Sequence, residues 1–262
     1  MKIPIYQVDA FTGRLFAGNP AAVCPLEKWL DDATMQNIGA ENNLSETAFF
    51  VKKDDHFDLR WFTPAVEINL CGHATLASAY VLFNHLGYRE KAIRFQTKSG
   101  ELRAEKSGDL ISLDFPATRP APIPEPTGLT EALGKKPVAT FKSRDIMALF
   151  ENESDIQTMK PDFMKLKEFD AHAIIITAPG SQSDFVSRFF APRLGIDEDP
   201  VTGSAHTTLI PFWSEKLGKK KLHAIQLSRR TGELFCENLS DRVLMSGRAV
   251  TYMVGDLILQ IE

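Results

Sequence analysis

Two kinds of apolar pattern run along this chain. Short runs rich in β-branched and aromatic residues, broken by Gly-bearing turns, read as strands. They include IYQVDAFT (5–12), ETAFFVKK (46–53), LRWFT (59–63) and AIRFQTKSGELRAEKSGDLISLDF (92–115). The same texture returns in HAIIITAP (172–179), VSRFFA (186–191), AIQLSRRTGELFCEN (224–238) and VLMSGRAV (243–250). Two longer stretches have helical length. GHATLASAYVLFNHLG starts at Gly72 and ends near Gly87, while GSAHTTLIPFWSEKLG starts at Gly203 and ends near Gly218. Pro211 is expected to weaken or kink the second. The closing VTYMVGDLILQI (250–261) reads as a further strand pair able to return to the first half of the chain.

These elements are written twice. FDLRWFTPAVEINLCGHATLASAYVLF (57–83) and FVSRFFAPRLGIDEDPVTGSAHTTLIPFW (185–213) share an opening, with Arg60 and Pro64 matching Arg188 and Pro192 at an offset of 128. Each then reaches a Gly-containing tetrad, CGHA or TGSA, at an offset of 131. Further on, IRFQTKSGEL (93–102) matches IQLSRRTGEL (225–234) at an offset of 132. Three matches in order at a nearly fixed offset mark an internal repeat. Two similar lobes are therefore expected: residues 1–115, completed by the C-terminal strand region 250–262, and residues 116–249. The proline-rich segment 116–126 is the natural link between them.

Composition narrows the class. A chain of 262 residues, 44% hydrophobic and 24% charged, suits a globular protein with a sizeable core. A net charge of -4 gives no electrostatic reason to expect a nucleic-acid partner, and the basic run Lys219–Lys221 reads as a solvated turn. Cys24, Cys71 and Cys236 are odd in number and lack metal-like spacing, which favours a reducing compartment. The N-terminal MKIPIYQVDAFTGR has no signal-peptide core, and no apolar run reaches the ~20 residues of a membrane helix. A cytoplasmic protein without a membrane partner is expected.

The tetrads carry the candidate chemistry. A helix N-terminus exposes unpaired N–H groups and the positive end of the helix dipole, and Gly lets a ligand approach the backbone. Gly72 and Gly203 would thus serve one anion-friendly helix end per lobe, suited to a small carboxylate and to a developing enolate. His73, Asp199, Ser204 and His206 sit beside them. The dipole at the helix start favours a neutral His73, and Asp197, Glu198 and Asp199 form a local acidic cluster. Other chemistries find no support. There is no G-x-G-x-x-G, P-loop, G-x-S-x-G, H-E-x-x-H, H-x-H or paired C-x-x-C, so a metal site would need ligands assembled from afar. Cys71 has Thr202 as its repeat partner, so no matched thiol pair exists.

DAFTGRLFAGNPAAV (9–23), LSETAFF (44–50), CGHATLASA (71–79) and GIDEDPVTGSAH (195–206) together resemble the phenazine-biosynthesis isomerase family, the PhzF-like proteins. The resemblance implies an α+β, diaminopimelate-epimerase-like fold. In it, two pseudo-symmetric lobes, each a β-barrel-like sheet around a central helix, enclose an active site in the cleft between them. It also implies Glu46 of SETAF as the general acid/base. His73 and Asp199 are the further catalytic candidates; Asn19, Gly72, Gly203 and Ser204 are the substrate-binding ones. The implied activity is a proton-shift isomerisation or epimerisation of a small carboxylate-bearing metabolite, without metal or organic cofactor. A homodimer is compatible with the resemblance. A non-catalytic carboxylate binder, or a lyase or hydrolase, would use the same residues.

Overall fold

Strands dominate the first part of the chain, as its β-branched and aromatic runs require. In order they are β1 (Lys2–Ala10), β2 (Asn19–Leu26), α1 (Asp32–Asn42), β3 (Glu46–Lys52), β4 (Phe57–Phe62), β5 (Glu67–Ile68), α2 (Gly72–Asn84), β6 (Ala92–Thr97), β7 (Gly100–Ser107) and β8 (Leu110–Pro116). Shorter elements follow: β9 (Ala121–Ile123), α3 (Leu129–Leu133), β10 (Ala139–Lys142), β11 (Ile146–Leu149), α4 (Glu153–Thr158) and α5 (Phe163–Leu166). The chain closes with β12 (Ile174–Pro179), β13 (Phe185–Ala191), β14 (Ile196–Asp199), α6 (Gly203–Leu217), β15 (Lys221–Gln226), β16 (Gly232–Asn238), β17 (Arg242–Gly247) and β18 (Ala249–Ile258). The structure, a computed structural model, describes residues 1–260. It contains two compact units: Met1–Asp114 with the chain from Ser246 onward, and Phe115–Met245. Among the described residues, no helix is long and apolar enough to cross a membrane.

In the first unit β1 pairs antiparallel with β2 on one side and with β18 on the other, from Lys2 opposite Ile258 to Ala10 opposite Ala249. The C-terminal segment is thus one strand, not the expected pair. Helix α2 lies against this sheet and is buried almost all round, with Ala74, Leu76, Ala77, Ala79 and Val81 at 0% exposure. Small and apolar side chains on every face suit that position. The buried hydroxyls of Thr75 and Ser78 donate to the carbonyls of Cys71 and Ala74, which removes the cost of hiding them.

In the second unit α6 is continuous from Gly203 to Leu217 with Pro211 inside it. Proline cannot donate to the carbonyl four residues earlier, so Thr207 would lose its partner. The Thr118 N–H fills the gap at 3.0 Å. The main core of this unit gathers Phe150, Ile156, Ile174, Ile176, Val186 and Phe190 beneath α3, α4 and α5. The repeat shows in matched side chains. Arg60 on β4 pairs bidentately with Glu67 on β5, and Arg188 on β13 pairs bidentately with Glu198 on β14.

Several elements have no clear signature in the sequence. Strand β2 is hidden by Pro20 and Pro25, residues that argue against a strand interior. Helix α1 buries only Met35, Ile38 and Gly39, too few positions for a readable apolar stripe. The proline-rich link contains β9, which pairs with β10.

Candidate active site

Three element starts converge in the first unit. β2 and β3 are parallel, with Ala21 opposite Glu46, so their N-terminal ends lie at the same edge of the sheet. Asn19 stands two residues before Ala21 and shares its face with Ala21 and Glu46. The chain reaches Glu46 by a sharp reversal at Asn43, which caps α1 in the left-handed conformation at φ +48°. It reaches Asn19 through Gly18, at φ +64°, where any Cβ would lie 2.1 Å from the Ala10 carbonyl oxygen. Only glycine fits there. Helix α2 starts at Gly72 with Cys71 as its N-cap, and this brings His73 to the same place.

The side chains that meet are Asn19, Glu46, Cys71 and His73, all buried. Glu46 Oε2 and His73 Nε2 lie 2.9 Å apart. The approach is that of an ion pair rather than a linear hydrogen bond, because neither atom has a partner with hydrogen-bonding alignment. On the other side of the ring, Nδ1 meets Asn19 Nδ2 at 3.1 Å and Cys71 Sγ at 3.5 Å. On a neutral ring the amide N–H donates to Nδ1 and the ring proton sits on Nε2, facing Glu46. A charged ring carries hydrogen on Nδ1 as well, which the amide accepts by turning over to present Oδ1, and Nε2 still presents its hydrogen to the carboxylate.

Electrostatics departs from the expectation of a neutral His73. Burial works hardest against charge on the ring, yet the negative charge beside it prevails and holds it well above the ordinary imidazole range. The Cys71 thiol is pushed up to about 11, by burial first and then by the Glu46 carboxylate, so it stays protonated at neutral pH. Cys71 first and then Glu46, one at each ring nitrogen, hold the proton on His73. A full charge at 2.9 Å outweighs the fractional charge spread over a helix end.

The second unit arranges its tetrad differently. Thr202 is the N-cap of α6, Gly203 begins the helix and Ser204 follows, half-buried. The Thr202 hydroxyl donates to Asp199 Oδ2, so Asp199 steadies the turn that starts the helix. Strand β14 alternates its side chains, and the expected acidic cluster is split: Glu198 goes to Arg188, while Asp197 is exposed. Buried Gln226 ties the turn down. Its Oε1 accepts from the Thr202 N–H at 2.8 Å, and its Nε2 donates to the Asp199 carbonyl at 2.8 Å and the Thr202 hydroxyl at 3.1 Å. His206 donates from Nδ1 to the Thr202 carbonyl at 2.8 Å, and burial pushes it down to about 4, so it is neutral. Its repeat partner Thr75 makes the same bond to the Cys71 carbonyl with a hydroxyl.

Arg144 and Gln226 escape sequence reasoning. Arg144 Nη2 donates to Ser204 Oγ at 3.1 Å, and the same guanidinium lies 3.3 Å from both carboxylate oxygens of Asp145. Asp145 is buried and also meets His172 Nδ1 at 3.0 Å. The surrounding FKSRDIMALF has no motif, and only the fold brings Arg144 to the start of α6.

The model of the phenazine biosynthesis-like protein family matches residues 8–255. A Pseudomonas aeruginosa protein named as an uncharacterized isomerase is 50% identical over 257 residues, covering 98% of this chain and 99% of its own. A crystal structure of a PhzF-family phenazine biosynthesis protein from Enterococcus faecalis superposes with a TM-score of 0.97 at 47% identity, over 99% of this chain and all of that one. At 11% identity, a probable proline racemase from Agrobacterium radiobacter still superposes with a TM-score of 0.67, over 98% of this chain and 93% of its own. That likeness shows the fold alone: a sheet-rich mixed α/β architecture of the epimerase and racemase kind.

Proposed function

The chain belongs to the phenazine biosynthesis-like family, and from that premise we propose that it is an isomerase of a small carboxylate-bearing metabolite, with Glu46 as the proton carrier. The observation that carries this reading is the buried Glu46 carboxylate, 2.9 Å from His73 and without an aligned donor on Oε2. The naming of close relatives as isomerases supports the same class of reaction.

Glu46 takes a proton from an activated carbon of the substrate and returns it at another carbon on the same face, or to the same carbon in an epimerisation. His73 holds the carboxylate in place and offsets its charge when it is unprotonated, and Asn19 fixes the ring from behind. General acid/base transfer of this kind contributes typically ~10²–10⁴-fold. Cys71 is a weaker candidate for the base, because its thiol keeps its proton at neutral pH. Two-thiol racemisation is disfavoured further by Thr202, which stands where the repeat would need the second thiol. Each helix start, at Gly72 in the first unit and at Gly203 with Ser204 in the second, offers N–H groups of the kind that bind a carboxylate oxygen. Asp199 acts in this scheme by setting the turn before Gly203.

Glu46→Gln keeps the shape and removes the base. Incubated in deuterium oxide with a bound substrate carboxylate, the wild type should incorporate deuterium, and the variant should bind without exchange. Exchange that persists in the variant would show that another group carries the proton. A wild type that binds but never exchanges would instead favour a non-catalytic carboxylate binder.

A further inference from the structure

The side chains around the His73 ring are also a set of metal ligands. One ligand atom each from Glu46, Cys71 and His73 fall within 4.8 Å of one another, and all three residues are buried. Two of the available atoms, Glu46 Oε2 and His73 Nε2, have no aligned hydrogen-bond partner. They face each other at 2.9 Å as an ion pair, and a cation entering between them would replace that contact with two metal–ligand bonds. Zinc at its usual distances, about 2.3 Å to sulfur and about 2.0–2.2 Å to nitrogen or oxygen, sets tetrahedral ligand atoms about 3.3–3.6 Å apart. Closing the three onto one ion takes side-chain rotation, because Sγ stands beside Nδ1 at 3.5 Å while Oε2 stands beside Nε2 at 2.9 Å. A histidine bound through Nε2 carries its hydrogen on Nδ1, and the Asn19 amide beside it at 3.1 Å can accept that hydrogen once it turns over to present Oδ1.

We propose that Glu46, Cys71 and His73 form a three-ligand site for one borderline-soft divalent cation, zinc being the natural choice. Three protein ligands leave a fourth position for water or a small carboxylate. On binding, metal–sulfur, metal–nitrogen and metal–oxygen bonds form. The Cys71 S–H and His73 Nε2–H bonds break, their protons pass to solvent, and nothing is oxidised or reduced. Because the ion takes the Glu46 carboxylate, an occupied site cannot transfer protons. That inhibition rests on the isomerase reading; the metal site itself does not.

Cobalt(II) is the probe. The reduced full-length protein with one equivalent of cobalt should show a thiolate-to-cobalt charge-transfer band and the visible bands of a four-coordinate ion. One equivalent of zinc should erase both. Cys71→Ser should lose the charge-transfer band. Glu46→Gln, which spares the thiol, should keep that band and bind cobalt at least about 10-fold more weakly. The absence of the band in the wild type overturns the site. So does its persistence in folded Cys71→Ser, which would place the thiolate at Cys24 or Cys236, or wild-type affinity in Glu46→Gln. Glu46→Gln serves as the deciding variant if Cys71→Ser does not fold. A cobalt spectrum combined with isotope exchange surviving in Glu46→Gln supports the metal site and sinks Glu46 as proton carrier. Exchange lost in Glu46→Gln with no cobalt spectrum does the reverse.

Discussion

At the scale of residues, Glu46 shows how position overrules local context. Next to Asn42 and Asn43 it reads as a solvated acid at a strand entrance, yet it is only 8% exposed. What it meets in that setting is His73, a residue from another element. Glu46→Gln should therefore leave the fold intact while abolishing exchange. His73→Leu should destabilise by about 3–5 kcal/mol, because it strands a buried carboxylate. Urea denaturation of both variants tests the contrast, and equal losses would contradict it. Gly18 is a second residue whose role depends on its neighbours. At φ +64° and with the Ala10 carbonyl in the way, Gly18→Ala should cost about 1–3 kcal/mol. The same change should displace Asn19 and loosen its hold on the His73 ring, which the imidazole chemical shift would report.

Among the elements, the two helix starts reach one result by different means. Thr75 in α2 and His206 in α6 both donate to the carbonyl of their N-cap residue, one through a hydroxyl and the other through an imidazole. The imidazole adds a pH dependence. His206 is held down to about 4 in the folded protein, against an ordinary value near 6.5. The unfolded chain therefore binds the proton first, and stability falls as pH drops from about 6.5 to about 4. The contribution at stake is about 3 kcal/mol at most. His206→Gln should flatten that part of the stability–pH curve relative to wild type; an unchanged curve would contradict the assignment. Gln226 tests the loop side of the same element. Gln226→Leu removes the acceptor of the Thr202 N–H, while the Thr202 hydroxyl keeps its bond to Asp199, and a loss of about 1–3 kcal/mol is expected in chemical denaturation.

For the whole molecule, the first unit is closed by the last segment of the chain. β1 is flanked by β2 and by β18, so truncation after Met245 leaves one edge of β1 unpaired along its full length. Such a truncation should make the first unit susceptible to limited proteolysis while Phe115–Met245 persists as a protected fragment. Equal protection of both would overturn the dependence. Strand texture, both long helices and the repeat were legible in the sequence because they rest on periodicity and on glycine at fixed positions. The family signatures carried the fold class and named Glu46. Less was legible where local signals were weak or mixed: β2 between its prolines, α1 with its thin buried face, and the elements from α3 to α5. Contacts were not legible at all. That Arg144 meets Ser204, that Gln226 holds the turn before α6, and that Glu46, Cys71 and His73 share one ring's surroundings are decided by tertiary structure. The physical reason is range. Strand and helix preferences act between residues a few positions apart, whereas the protonation of His73 depends on a carboxylate that lies at hydrogen-bonding distance only after β3 and α2 have packed.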